Sequence, residues 1–215
     1  MADPVKQTIE FVKTTLLGAE GGHDWWHIYR VWTLAKHIAK TEDGDTLVIE
    51  LGALLHDIAD SKFHDGDESL GPKKAEAFLR SIGVDVAVIE HVKNIITHIS
   101  FKGGNHEVPF TSPEFRIVQD ADRLDALGAI GIARTFNYGG FKGRELYNPD
   151  IKPNLTMTKE EYKKSTAPTI NHFYEKLLLL KDRMHTPTAK AMAEQRHAYM
   201  QGYLDQFYKE WAGEA

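Results

Sequence analysis

The sequence contains no cysteine among its 215 residues, and this absence limits the chemistry open to the protein. Neither a disulfide bond nor a thiolate metal site can form, so any metal would need His, Asp, Glu or water as its ligands. The N-terminal stretch MADPVKQTIEFVK lacks the apolar segment behind a basic start that marks a secretory signal. These two absences favour a cytoplasmic protein, which is the location we expect.

Long apolar runs and a strong net charge are also missing. The apolar run LLLL in the C-terminal part is far too short to cross a bilayer, so we expect no membrane association. The formal net charge is −5, and a mildly acidic protein is poorly suited to coating DNA or RNA. A local basic pocket for one small phosphorylated molecule stays compatible with this charge.

The alternation of apolar and polar residues that is typical of strands does not occur, whereas helical periodicity does. Val5, Ile9 and Val12 recur at the spacing of one helical face. Asp3 suits the N-cap of that helix, and Pro4 suits its first turn. Asp24 likewise suits the N-cap of the second helix, and Pro187 suits the start of a long last helix. Because similar patterns continue along the chain, without internal repeats or a flexible linker, we predict an all-α fold.

We predict that residues 1–215 form a single helical-bundle domain. The core motifs would lie within residues 23–141, and the C-terminal helices of residues 158–213 would pack on them. The segment 137–157, NYGGFKGRELYNPDIKPNLTM, is rich in glycine and has no periodic apolar face. It therefore predicts a long irregular loop near the functional site, which we expect to act as a mobile lid.

Three apolar helical segments carry imidazole and carboxylate groups that suit a metal. The first has His27, within HDWWHIYRVW. The second is strongly apolar, which predicts a central position in the fold, and it ends in the adjacent pair His56 and Asp57, within LGALLHDIAD. Carboxylates in apolar helices are rarely buried without a partner, so the third segment, RIVQDADRLDALGAIG, supplies a further ligand candidate. Three neighbours compete for that role: Asp120, Asp122 and Asp125. Such mixed nitrogen and oxygen ligation suits Mn, Fe, Co, Ni or Zn better than Ca.

Each of these residues also has a plainer interpretation. A single His on an amphipathic helix is more often a core or surface residue than a ligand. Asp57 is also compatible with a simple helix end, and Asp122, which Arg123 follows, with a solvated charge. Taken together, the ordered set on three apolar segments favours a metal site.

The order of these motifs resembles the HD superfamily of metal-dependent phosphohydrolases. The stretches HDWWHIYRV and DADRLDALGAIGIAR resemble, more narrowly, small bacterial HD-domain proteins that include nucleotide pyrophosphohydrolases. The resemblance spans residues 23–141, and no motif is recognised after Asn148. It implies a single HD-type domain with metal ligands at His27, His56, Asp57 and Asp122. The implied cofactor is a divalent cation, drawn from Mn, Mg, Co, Ni, Fe and Zn, with Mn preferred.

Other polar residues near these motifs are candidates for supporting roles. We predict catalytic or supporting roles for four of them: His23, Asp24, Asp60 and His98. The role of His98 follows from the resemblance, since some family members use an additional His in a comparable stretch for a second metal or for phosphate. A plain His at a helix end is an equally good interpretation of His98. We predict phosphate contacts for four cations: Lys62, Lys102, Lys142 and Arg144. Solvated ion pairs are the simpler alternative for Asp60 and Lys62.

The predicted loop region interleaves aromatic rings with two of these cations. Tyr138, Phe141 and Tyr147 are candidates for stacking on a nucleobase while the cations bind phosphate. The same aromatic residues are equally compatible with packing the loop onto the rest of the protein.

The sequence therefore predicts an enzyme that hydrolyses a phosphate ester or phosphoanhydride. The resemblance favours a nucleotide substrate, such as a (deoxy)nucleoside triphosphate. Two alternatives stay open: a metal- and nucleotide-binding sensor without turnover, and a helical interaction protein whose His and Asp cluster is structural. The oligomeric state does not follow from the sequence, and a homodimer is one option.

Overall fold

The computed structural model describes residues 3–19, 22–59, 67, 69–99, 109–158, 161 and 164–215. These ranges contain helices and connecting segments but no strand, so the all-α prediction is confirmed. No helix within them is long and apolar enough to cross a membrane. The chain forms two compact units, Met1–Asp122 and Arg123–Ala215. That the whole chain acts as one domain remains a prediction.

The first unit is built around one strongly apolar helix. Its helices are α1 (Pro4–Thr15), α2 (Trp25–Ile38), α3 (Thr46–Leu55), α4 (Leu70–Ser81), α5 (Val86–His98) and α6 (Pro113–Asp125), the last of which runs into the second unit. Helix α3 packs against α1, α2 and α5, and α4 packs against α5. Seven of the ten residues of α3 are buried. This central position explains its apolar sequence, because three other helices pack against it.

Aspartate caps fix where the helices of the first unit begin. The carboxylate of Asp3 accepts a hydrogen bond from the Val5 N–H at 3.0 Å, and that of Asp24 accepts one from the His27 N–H at 3.1 Å. Both caps were predicted from the sequence and are confirmed. Such a cap stabilises a helix by about 1 kcal/mol. The cap of α2 therefore also sets the position of His27 in the first turn.

A buried carboxylate connects the start of α3 with α6. The Glu114 side chain accepts a hydrogen bond from the Asp45 N–H at 2.9 Å and lies 3.4 Å from His91 Nε2. Burial opposes the charge of Glu114, but hydrogen bonds from Asp45, from its own N–H and from Ser112, together with His91, outweigh that effect and lower its pKa. Glu114 is therefore held in its ionised form.

The second unit contains α7 (Gly128–Phe141), α8 (Asn171–Glu175), a 3₁₀ helix (Leu177–Arg183) and α9 (Pro187–Ala212). Helix α9 packs against α7 and against the 3₁₀ helix. Thr186 caps α9 by accepting a hydrogen bond from the Ala189 N–H at 3.2 Å, and Gly213 ends it with φ of 74°. The prediction of a long last helix starting at Pro187 is confirmed.

The irregular segment was predicted to span residues 137–157, but α7 continues through Phe141, so the predicted start is wrong. A Cβ atom on Gly139 would lie only 2.3 Å from Thr169 Oγ1, so this glycine permits a close approach inside a helix. The helix-propensity cost of glycine, about 1 kcal/mol, is offset by that packing. Gly143, with φ of 64°, follows the end of the helix. The irregular loop thus comprises residues 142–157 only.

This loop is tied to the rest of the second unit by hydrogen bonds. The carbonyl oxygens of Glu145 and Leu146 accept from the N–H groups of Thr169 and Ile170, at 2.8 and 3.0 Å. The Arg144 guanidinium donates to the Ser165 carbonyl at 2.6 Å. The mobile lid remains a prediction, and a lid movement would have to break these bonds.

Candidate metal site

His27 lies in the first turn of α2, with a side chain that is only 2% exposed. Its position follows from the Asp24 cap, which starts the helix just before it. Its Nε2 atom lies 3.2 Å from Nε2 of His56, which belongs to the segment directly after α3. The Nε2 atoms of two imidazoles, one from α2 and one from the segment after α3, therefore point towards each other.

His56 continues the helical backbone just beyond the last residue of α3, with φ of −57° and ψ of −30°. Its Nδ1 lies 2.9 Å from the Ala53 carbonyl oxygen. Because a carbonyl oxygen can only accept, this bond places the ring proton on Nδ1 and leaves a lone pair on Nε2. That is the tautomer in which a histidine can donate to a metal ion from Nε2.

Two carboxylates complete the group. Asp122 Oδ1 lies 3.6 Å from His27 Nε2 and 3.7 Å from His56 Nε2, and Asp57 Oδ2 lies 4.0 Å from His27 Nε2. Candidate ligand atoms of His27, His56 and Asp57 all lie within 4.8 Å of one another. Ligand atoms about 2.1 Å from one cation are separated by roughly 3.0–3.4 Å at angles of 90–109°. The spacing therefore fits one ion after small side-chain adjustments.

The three candidate aspartates of α6 have different surroundings. Asp122 faces the two imidazoles, whereas Asp120 is fully buried. Asp125, which belongs to the second unit, is buried and pairs with Arg134 at 2.7 Å. The helical repeat explains the difference between Asp120 and Asp122, because residues two apart in a helix point in different directions. Of the three, Asp122 has the geometry of a fourth ligand, and its metal-binding role stays a prediction.

Burial differs between the two kinds of ligand. The His27 and His56 side chains are 2% and 3% exposed, whereas those of Asp57 and Asp122 are 18% and 34% exposed. The imidazoles thus form the inner side of the group, and the carboxylates form its outer side. Catalytic metal sites keep an open position in this way, while structural sites are closed by protein ligands.

An indole-to-carboxylate hydrogen bond links the two helices that bring the histidines together. Trp32 Nε1 donates to Glu50 Oε2 at 2.8 Å, and the Lys36 ammonium lies 4.1 Å from the centroid of the Trp32 ring. Trp32 belongs to α2 and Glu50 to α3. Sequence reasoning missed this pair, because a Trp and a Glu on separate apolar helices give no spacing signal.

The predicted supporting residues fall into three groups. The ring of His23 lies 6.1 Å from that of His27, and Asp24 caps α2 beside it. His98 instead has Nδ1 at 2.8 Å from the Asn94 carbonyl and stacks on Phe110. These contacts match the plain helix-end interpretation of His98. Three further candidates lie outside the described residues: Asp60, Lys62 and Lys102.

Cations and aromatic rings cluster around the end of α7 in the second unit. The Lys142 ammonium lies 5.3 Å from the centroid of the Phe141 ring and 5.7 Å from that of Tyr138, and the Arg144 guanidinium carbon also lies 5.7 Å from Tyr138. Tyr147 packs elsewhere. Its ring contacts three aromatic side chains of α9: Phe207, Tyr208 and Trp211. Four of the five predicted loop residues therefore lie together, and Tyr147 does not.

Comparison with known proteins places these observations in a family. The HD domain family model matches residues 25–127. The YpgQ protein of Bacillus subtilis is 37% identical over 209 residues, which cover 97% of this chain and 94% of YpgQ. A crystal structure of YpgQ in complex with ADP superposes with a TM-score of 0.77 at 36% identity, covering 96% of this chain and 94% of that one.

Two further crystal structures are similar over nearly their full lengths. A Lactobacillus plantarum protein has a TM-score of 0.86 at 36% identity, covering 99% of this chain and 98% of that one. An HD-superfamily hydrolase from Bacillus thuringiensis has a TM-score of 0.76 at 45% identity, covering 97% of this chain and 96% of that one. The arrangement of helices is thus shared with solved proteins.

Proposed function

This chain belongs to the HD superfamily of hydrolases, and we propose that it hydrolyses a phosphate ester or phosphoanhydride of a nucleotide with a divalent cation as cofactor. The observation that carries the proposal is that candidate ligand atoms of His27, His56 and Asp57 lie within 4.8 Å of one another, with Asp122 Oδ1 at 3.6 and 3.7 Å from the two imidazole nitrogens. A nucleotide such as a (deoxy)nucleoside triphosphate is the proposed substrate. The ADP bound in the crystal structure of YpgQ supports this class of ligand.

The donor set fits a divalent cation. Two imidazole nitrogens and two carboxylates form a mixed set that suits Mn, Fe, Co, Ni or Zn, and Mn remains our preferred cofactor, with Mg as a further candidate. When bound, such a cation polarises a phosphoryl oxygen and lowers the pKa of water.

The side chains of the group have separate tasks in this proposal. The Ala53 carbonyl keeps the His56 proton on Nδ1, so the Nε2 lone pair is free to bind the cation without a change of tautomer. The buried imidazoles exclude water from the inner side, and the partly exposed carboxylates leave the outer side for the phosphate group. Asp24 is already engaged as a helix cap, so His23 is the better candidate for accepting a proton.

The predicted phosphate contacts remain proposals. Lys142 and Arg144 combine positive charge with two neighbouring aromatic rings, which is the chemistry that binds phosphate and base. Arg144 also holds the Ser165 carbonyl, so its replacement would disturb the loop as well. Lys142→Ala is the cleaner test: we expect a raised KM for the nucleotide and an unchanged metal content. Unchanged kcat/KM on every substrate that is turned over would show that Lys142 does not contact phosphate.

The two alternative functions differ from this proposal in measurable ways. A sensor would bind metal and nucleotide without releasing phosphate, whereas a helical interaction protein would need neither. The open outer side of the ligand group favours turnover over a structural site. A homodimeric state and a cytoplasmic location remain expectations from the sequence alone.

The proposal is tested by metal analysis followed by a turnover assay. Protein stripped with a chelator is reloaded with Mn, Mg, Co or Ni, and the release of phosphate and pyrophosphate is measured for a panel of nucleotides. We expect stoichiometric metal and release from at least one nucleotide, both lost in His56→Ala and Asp57→Asn. Metal binding without release from any nucleotide or phosphomonoester would favour the sensor, and absence of bound metal would favour the structural alternative.

A further inference from the structure

The second unit contains a cavity of about 310 Å³ that the proposed hydrolysis does not use. Its walls come from the loop, from α8 and from α9. The main lining residues are Tyr147, Pro149, Ile151, Lys152, Tyr174 and Tyr208. The volume is near the lower end for small-molecule sites, which have roughly 300–1,000 Å³. It therefore suits a ligand with one ring system rather than a large cofactor.

Hydrogen bonds hold the loop wall of this cavity in place. The buried Asn171 donates through Nδ2 to the Ile151 carbonyl at 3.0 Å. The Asn154 N–H donates to the Glu175 carboxylate at 3.1 Å. Because these bonds come from the protein itself, the wall is formed before any ligand arrives, and binding does not have to order it.

The aromatic residues of the cavity offer ring surfaces without negative charge. The rings of Tyr147 and Tyr208 lie 5.4 Å apart at an interplanar angle of 70°. Burial raises the pKa of the Tyr208 hydroxyl, as does its hydrogen bond with Tyr174. The phenol therefore stays neutral at physiological pH and does not repel an anion. Planar ligands are favoured by such surfaces, because aromatic rings attract each other through stacked or edge-to-face contacts.

The charge of the cavity is set by Lys152. Among the lining residues that the structure describes, this lysine is the charged one, and no carboxylate accompanies it. A cationic ligand would meet repulsion from the ammonium group, whereas a phosphate or carboxylate would be attracted. The lining thus combines ring surfaces for a planar group with one cation for an anionic group.

We propose that this cavity is a second small-molecule site that binds a planar aromatic compound carrying an anionic group, with a nucleoside monophosphate as the representative ligand. The inference is independent of the proposed hydrolysis, because none of the lining residues belongs to the His and Asp group. The ring would contact the tyrosines, and the phosphate would pair with Lys152.

Calorimetric titration of the full chain with AMP, adenosine and inorganic phosphate tests the site, with a chelator present to keep the metal group empty. We expect AMP to bind, adenosine to bind about fivefold more weakly, and phosphate alone to show no saturable binding. Lys152→Gln should reduce AMP affinity about fivefold and leave adenosine unchanged. The matched control is Lys190→Gln, an exposed lysine outside the cavity, which should bind AMP like the parent.

The tyrosine contribution has its own pair of variants. Tyr174→Ala should weaken AMP and adenosine alike, by about fivefold or more, because a base–aromatic contact is lost. Tyr174→Phe keeps the ring and should bind close to the parent, while thermal melting confirms that both variants fold. Absence of saturable AMP binding to the parent, or parent-like binding by Lys152→Gln and Tyr174→Ala, would overturn the site. AMP binding that is lost in Asp57→Asn but kept in Tyr174→Ala would place the ligand at the metal group instead.

Discussion

Replacing Trp32 by Phe should show how α2 and α3 are kept in register. The change removes the indole N–H that donates to Glu50 at 2.8 Å but retains an aromatic ring. Hydrogen bonds to charged groups contribute about 1.5–3 kcal/mol. Both partners are partly exposed, so we expect a loss around the lower limit of that range, about 1–2 kcal/mol. For a chain of this length that corresponds to roughly 2–8 °C in Tm.

The same variant should weaken metal binding, because His27 and His56 lie on the two elements that the bond connects. We expect up to about a tenfold loss of Mn affinity, the lower limit for residues that support metal ligands. Glu50→Gln is the matched control, since its amide oxygen still accepts from the indole. A double-mutant cycle of Trp32→Phe with Glu50→Ala, read by denaturant unfolding, measures the coupling. Additive effects within about 0.3–0.5 kcal/mol would refute the reasoning.

Three further predictions follow from the ligand group, the buried glutamate and α7. Mn at 100 times its Kd should stabilise the parent by about 2.7 kcal/mol in thermal unfolding and leave the stability of Asp57→Asn unchanged. Equal stabilisation of the parent and the variant by Mn would place the metal elsewhere. Glu114 has a lowered pKa, so its contribution to stability is present above about pH 4.3, the unfolded value, and is lost as pH falls through the folded pKa. Glu114→Gln should therefore unfold with a weaker dependence on acidic pH, and an unchanged acid profile would contradict this. Gly139→Ala should destabilise the protein by about 1–3 kcal/mol through overpacking. Gly140 has open space around it, so Gly140→Ala should stabilise the protein by about 0.5–1 kcal/mol. Similar effects of the two variants in denaturant unfolding would count against the packing argument.

Local sequence signals determined the helices and much of the candidate site. Asp3 and Asp24 were recognisable as caps because a cap acts within one helical turn. The apolar sequence of α3 predicted its central position, because a helix with so much apolar surface must pack against several neighbours to bury it. The ordered imidazoles and carboxylates predicted a shared site because His, Asp and Glu are the side chains left for a metal in a chain without cysteine.

Tertiary structure decided the features that depend on residues far apart in the chain. Residue spacing left three aspartates of α6 open and the resemblance favoured Asp122, but which face of α6 meets the histidines depends on tertiary packing, as does the close approach of Gly139 to Thr169. The bond between Trp32 and Glu50 likewise joins residues of separate helices. No local pattern encodes such pairs, because each exists only after the packing of complete helices has brought two distant segments into contact.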